Sequence, residues 1–166
     1  MAGIKRQENL IGFCGAYCGE CGMYRGRIYA RIAKDFLEIL KASDYADWLP
    51  NVMKLDFSFE DLLKGLGYFS KKDAGCYCQE PCKEGGGAPC KIRPCAKERR
   101  IDICYECEDF PCEHLSWILE KYPDRLEDYE RFRKLGLEEW ARFHMERGAK
   151  GYASATGKYY ARSSDK

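Results

Sequence analysis

Apolar residues recur at helical spacing over residues 25–42, where Ile28, Ile32, Phe36 and Ile39/Leu40 form one stripe and Arg31, Lys34, Asp35 and Glu38 fall outside it. That pattern predicts an amphipathic helix with the charged side outward. A turn around Ser43, Asp44 and Pro50 follows. Ser58 then caps a second predicted helix, with the stripe Phe59, Leu62, Leu63 and Leu66, because its hydroxyl can accept an orphan N–H of the first turn. Residues 70–112 show neither helical nor strand period. They carry Gly75, the run Gly85-Gly86-Gly87 and four prolines, a composition of loops and tight turns that apolar burial alone does not fold. Helical spacing returns with Leu115, Ile118, Leu119 and Tyr122 and stops at Pro123. Asp124 with Glu127 forms a capping box for a helix carrying Leu126, Tyr129 and Phe132, ended by Gly136. A last helix with Leu137, Trp140, Ala141 and His144 stops at Gly148.

The expected fold is mainly α, with short helices packed around irregular cysteine-rich metal-binding loops and little or no β. Residues 1–148 read as a single metal-binding domain with a loop insert at about 70–112, and 149–166 as a basic, partly flexible tail containing Lys150, Lys158, Arg162 and Lys166. The length suffices for a buried core. Lys and Arg number 28 against 27 Asp and Glu, so no global field draws the chain to nucleic acid or an anionic membrane. The 12 Tyr, 8 Phe and 3 Trp suit core filling.

The cysteines change the picture more than the charges do. There are 11, in two blocks: Cys14, Cys18 and Cys21, then Cys76, Cys78, Cys82, Cys90, Cys95, Cys104, Cys107 and Cys112. The first ten residues hold no apolar run of signal-peptide length, so the expected compartment is the reducing cytoplasm, with no membrane partner. There, closely spaced thiols serve as metal ligands or redox groups rather than disulfides. A tetrahedral zinc site needs four soft ligands, and a short Cys-x2-4-Cys turn supplies two of them from one knuckle. Cys104-x2-Cys107, Cys90-x4-Cys95 and Cys18-x2-Cys21 qualify. Cys76-x-Cys78 is too tight for an ordinary knuckle, and Cys112-Glu113-His114 adds an imidazole as a twelfth candidate ligand.

Four prolines stand immediately before Cys82, Cys90, Cys95 and Cys112, each stiffening the turn that presents the thiol. Gly12, Gly15, Gly19 and Gly22 interleave with the first block and allow backbone N–H groups to point at sulfur.

The run Gly12-Phe13-Cys14-Gly15-Ala16-Tyr17-Cys18-Gly19-Glu20-Cys21 resembles the signature of the domain-of-unknown-function 3795 family of small bacterial and archaeal proteins. So do Cys90-Lys91-Ile92-Arg93-Pro94-Cys95-Ala96 and the later Cys104-Tyr105-Glu106-Cys107-Glu108-Asp109-Phe110-Pro111-Cys112. The resemblance implies metal binding, with zinc foremost, and no established reaction. It implies Cys14, Cys18, Cys21, Cys90, Cys95, Cys104, Cys107 and Cys112 as ligands. Cys76 is kept with them, while Cys78 and Cys82 form a second rank because the segment from Tyr77 to Gly87 matches the family least, and His114 joins that rank because a histidine at a helix start commonly binds nothing.

Three functional classes follow. The first is a zinc-stabilised protein-interaction module with chiefly structural sites. It needs no catalytic residues, and few are evident: the sequence holds no His-Glu-x-x-His and no Gly-x-Ser-x-Gly. The second is an iron–sulfur protein with an electron-transfer role. Cys14-x3-Cys18-x2-Cys21 has the spacing seen in radical S-adenosylmethionine enzymes, but the barrel those enzymes need runs to about 200 residues or more, and the chain after Cys21 is too short and too helical for it. The third is a zinc-knuckle nucleic-acid binder using Lys91, Arg93, Lys97, Arg99 and Arg100, which Glu106, Glu108, Asp109 and Glu113 largely cancel. The first is the expectation.

Overall fold

The computed structural model describes residues 10–122 and 124–160. The chain is mainly α-helical, as its pattern predicts, with one small two-stranded sheet. It divides into two compact units: Gly22–Gln79 forms one, and the segments before and after it, up to Cys21 and from Glu80, form the other.

In the Gly22–Gln79 unit, α1 (Tyr29–Ala42), α2 (Tyr45–Val52) and α3 (Phe59–Phe69) pack on one another. The cap at Ser58 forms as expected, its Oγ accepting from the Asp61 N–H at 3.2 Å. The packed face of α1 differs in part from the predicted one. Ile28, just before the helix, and Leu40 are buried as predicted, together with Ala30 and Ala33, whereas Ile32, Phe36 and Ile39 are 42%, 44% and 57% exposed. α2 occupies the stretch read as a turn. Pro50 lies within it and forfeits one backbone bond, while Asn51 Nδ2 donates to the Asp47 carbonyl at 2.7 Å.

The second unit holds α4 (Ile92–Arg99), α5 (Ser116–Lys121) and α6 (Asp124–Ala149). α4 lies inside the span predicted to be loops. Its Pro94 sits in the first helical turn, where a missing N–H costs nothing, so the residue that looks like a breaker is compatible with the helix. α6 comprises two helical segments joined at Gly136, as the pattern predicts, because its φ of 74° and ψ of 171° are non-helical and only glycine adopts them freely. The segment expected to begin a tail carries a hairpin instead, β1 (Tyr152–Ala153) against β2 (Lys158–Tyr159), antiparallel with Tyr152 opposite Tyr159. Arg162, Lys166 and the rest of 161–166 lie outside the described residues.

Two apolar clusters fill this unit. Tyr105 centres the first, its ring 5.2–5.9 Å from those of Phe110, Tyr129, Phe132 and Trp140. Phe13, Ile92, Ala96, Leu115 and Ile118 form the second, and Cys14, Cys82, Cys90 and Cys112 pack against it. Among the described residues no helix is long and apolar enough to cross a membrane.

Two glycines give opposite expectations. A methyl at Gly148 would stand 2.7 Å from the Gly19 carbonyl oxygen, backbone against backbone. Gly148→Ala is expected to cost about 1–3 kcal/mol in urea unfolding. Gly65 lies inside α3 with nothing within 4 Å of an added methyl, so Gly65→Ala should stabilise by roughly 0.5–1 kcal/mol.

Candidate metal centre

The first cysteine block is folded as a tight reversal. Ile11 and Tyr17 bridge, the Gly12 N–H donates to Ala16 O at 2.7 Å, and the Cys18 N–H donates to Leu10 O at 2.7 Å, which leaves Cys14 near the tip. Gly15 follows with φ of 79°, and an added methyl there would lie 2.5 Å from the Tyr105 ring. Cys18–Glu20 then forms a 3-10 turn closed by the Cys21 N–H on Cys18 O at 3.0 Å. The later block repeats that geometry: Cys104–Glu106 is a 3-10 turn closed by the Cys107 N–H on Cys104 O at 3.0 Å. Each Cys-x2-Cys turn is thus one knuckle built by the same local bond. The two blocks meet where the Cys104 N–H donates to Phe13 O at 2.7 Å.

Cys95 from α4, Cys104 and Cys107 from the knuckle, and Cys112 line one cavity of about 260 Å³, with His114 on the same wall. Cys104 is buried, while Cys95, Cys107 and Cys112 are half-buried, all as free thiols. Burial, with the negative potential of Cys14, Cys112, Cys107 and Cys95 next in weight, pushes the Cys104 thiol up to about 12. Burial of this kind disfavours the Cys104 thiolate unless a cation joins it. Among the described residues, no three of the His, Cys, Asp and Glu side chains stand at ligating separations.

The other predicted ligands fall elsewhere. Cys14, Cys82 and Cys90 pack against the apolar cluster that also holds Cys104, but do not line the cavity. Cys18 and Cys21 flank the first knuckle. Cys76 and Cys78 belong to the Gly22–Gln79 unit, where Cys78 is held by backbone bonds to Met23 and Arg25. Of the basic residues beside Cys90 and Cys95, Arg93 donates to the carbonyls of Gly85 and Gly86. Arg99 pairs with Asp109 at 2.5 Å and also donates to Cys107 Sγ at 3.4 Å.

A buried charge cluster holds the knuckles in place, and the sequence patterns passed over it. His144, fully buried, sets Nδ1 3.0 Å from Glu20 Oε1 and Nε2 2.9 Å from Asp128 Oδ1. A carboxylate on each nitrogen requires two N–H donors, so the ring is an imidazolium. Burial opposes that charge, but the hydrogen bonds to Asp128 and Glu20 outweigh it and raise the His144 pKa. Burial likewise opposes ionisation of Glu20, and the bonds from His144 and Arg147 overcome it to hold the carboxyl below the usual range. Arg147 grips Glu20 with Nε at 2.6 Å and a terminal nitrogen at 2.8 Å. Asp128 also accepts from the Tyr105 hydroxyl at 3.3 Å. Arg125, buried beside it, donates to Gly15 O at 3.2 Å. The one signal for this cluster was a titratable residue on the apolar Trp140–Ala141 face.

Replacing His144 by Ala leaves two buried carboxylates without their shared cation and should cost about 3–5 kcal/mol. The pH dependence has a definite sign. The imidazolium contribution is complete below its ordinary 6.5 and is lost as pH rises through the raised folded value. The Glu20 and Asp128 contributions are present above 4.5 and 3.8 and are lost as pH falls through their depressed folded values. The stability gap between wild type and His144→Gln should therefore be widest between pH 4.5 and 6.5 in urea titrations. A gap that widens above 6.5 would contradict the assignment.

No curated protein and no solved structure matches this chain. Residues 10–117 match the family described as protein of unknown function DUF3795, a span that contains every cysteine and ends before α6. With both knuckles and most of its length inside that match, the chain belongs to the DUF3795 family.

Proposed function

We propose that this is a zinc-binding cytosolic protein whose metal sites are chiefly structural, serving as a protein-interaction module. The observation that carries the reading is the convergence of Cys95, Cys104, Cys107 and Cys112 on one cavity. Four thiolates, two from a Cys-x2-Cys knuckle, one from α4 and one from the turn at Cys112, are the donor set of a closed structural zinc site. Much of the chain around them is 3-10 turns and loops, for which a bound ion supplies stability, on the order of 10 kcal/mol in small zinc domains. His114 lies within the same wall and is the reserve ligand.

The interaction role rests on the Gly22–Gln79 unit. Ile32, Phe36 and Ile39 on α1 and Trp48 and Val52 on α2 are 42–65% exposed. A solvent-facing apolar set of that size is characteristic of surfaces that meet another protein. Engagement of Arg93 and Arg99 in internal contacts weakens the nucleic-acid alternative, since two of the five local cations are already used.

A second reading is favoured by two particulars. The cavity of about 260 Å³ exceeds the room one ion needs, and the Arg99 N–H on Cys107 Sγ is the kind of bond that tunes an iron–sulfur cluster. Elemental analysis and a visible spectrum of protein purified without oxygen separate the two. Stoichiometric zinc in a colourless solution is expected; iron with acid-labile sulfide would replace zinc by a cluster. Cys104→Ser should release the metal of this centre and lower the thermal midpoint, and an unchanged metal content would remove Cys104 from the ligand set.

A further inference from the structure

The Gly22–Gln79 unit leaves one face of α1 uncovered. Tyr29, Ile32, Phe36 and Ile39 follow one another at alternating spacings of three and four residues, and each is 40–57% exposed. That alternation is the spacing of a seam between two helices, and it is distinct from the face carrying Ala30, Ala33 and Leu40, which is buried. The next position of the series is Ser43, the C-cap of α1, and the Trp48 indole N–H donates to its carbonyl at 3.4 Å. Trp48 therefore prolongs the stripe onto α2, where Val52 follows one turn later with 65% exposure.

The charges along the stripe are sorted by sign. Arg25, Arg27, Arg31 and Lys34 occupy its N-terminal half with no acidic residue among them, and Asp35, Glu38, Asp44 and Asp47 occupy its C-terminal half against Lys41 alone. Lys34 and Glu38 pair across the boundary at 3.6 Å. This order opposes the helix dipole, which favours anions in the first turn and cations in the last, and the first turn of α1 holds no acidic residue. A copy of the helix running the other way sets each basic half against an acidic half and opposes the two dipoles. A parallel copy sets like against like. The same surface thus carries both halves of its own complement, which is what an isologous two-fold interface requires.

The area agrees with that partner. Tyr29, Phe36 and Trp48 with Ile32, Ile39 and Val52 offer roughly 500 Å² of apolar surface. A standard interface takes about 800 Å² from each partner, and in homodimers about 65% of it is apolar.

We propose that α1 is the self-association face of this protein, two copies pairing stripe on stripe as a two-fold dimer with their α1 helices antiparallel. The inference rests on the protein-interaction reading of this unit and names its partner as a second copy. It is independent of the metal, so zinc counted in the same samples reports on the metal reading alone.

Sedimentation equilibrium of the full-length chain, purified without oxygen, is the test, and a dimer is expected. Phe36→Glu should weaken it roughly 30-fold or more, and Ile39→Glu, at the more exposed position, should do the same without disturbing the fold. Trp117→Glu, at an exposed aromatic of α5, should leave the dimer intact. Arg25→Glu with Arg31→Glu sets acidic against acidic in an antiparallel pair and should weaken it about 10-fold, and mixing that variant with one carrying Glu38→Lys and Asp47→Lys should restore pairing. In a parallel pair the first variant only exchanges one repulsion for another, so an unchanged affinity overturns the antiparallel arrangement. A dimer indifferent to both Phe36→Glu and Ile39→Glu overturns the stripe as its interface. So does a chain that stays monomeric at about 100 μM, above the range of standard interfaces. Hydroxyl-radical labelling of that monomer then separates the two readings. Labelled Phe36 and Ile39 leave an open surface for a different protein and sink the second copy alone, whereas unlabelled ones show the chain covering its own stripe and sink the interaction reading as well.

Discussion

His144, with a carboxylate on each ring nitrogen, is the interaction on which the cysteine loops depend. Glu20 sits between Cys18 and Cys21, and its side chain is held by His144 and Arg147 on α6. Asp128 closes the other side and receives the hydroxyl of Tyr105, which sits between Cys104 and Cys107. One imidazolium therefore ties both knuckles to the two helical segments that meet at Gly136. Desolvating these charges is expensive, and the return comes from near-complete mutual pairing. Removing the central cation from such an arrangement costs about 3–5 kcal/mol, a sizeable part of the roughly 5–15 kcal/mol by which a domain is stable.

The two knuckles share a backbone but reach the cluster differently. Tyr17 and Ile103, both extended, precede turns closed by equivalent N–H to carbonyl bonds of 3.0 Å. In the first, the third residue of the turn carries the anchoring carboxylate; in the second, the second residue carries an anchoring phenol in the aromatic cluster with Trp140 and Phe132. The backbone bonds set the spacing of each thiol pair, and the anchors set where the pair points. A metal site assembled on such turns starts from an ordered frame, which limits the conformational entropy that binding must overcome.

What was legible in the sequence was local. Ser58 caps α3 because the donor and acceptor lie three residues apart, and Gly136 marks the break in α6 because its own dihedrals require glycine. What was not legible depends on distance along the chain. His144 and Glu20 are separated by 124 positions, and no periodicity relates them. Cys82 lacked a convincing partner by spacing, since it packs against Gly12, in the segment of the other block. On α1 the stripe was read only in part: Ile28 and Leu40 are buried as its spacing predicts, but Ala30 and Ala33 are buried too, while Ile32, Phe36 and Ile39, which outrank them in any hydrophobic ranking, stay exposed. α4 was missed because proline was taken as a breaker at a position of the helix where it is tolerated.

Two guanidiniums accompany the thiols, and burial decides their weight. Arg99 reaches Cys107 Sγ at 3.4 Å but is exposed and spends part of its charge on Asp109. Arg125 is buried and acts on Cys14. A pair of unit charges 4 Å apart is worth about 1 kcal/mol in water and about 4 kcal/mol at the effective dielectric of a protein site. Salt screens the first pair and largely spares the second. The buried arginine therefore has the greater influence on any anion that forms beside it, and the exposed one chiefly fixes the geometry of the loop carrying Cys107. Because Arg125 also donates to the Gly15 carbonyl, the same side chain that supplies charge to Cys14 holds the loop presenting it.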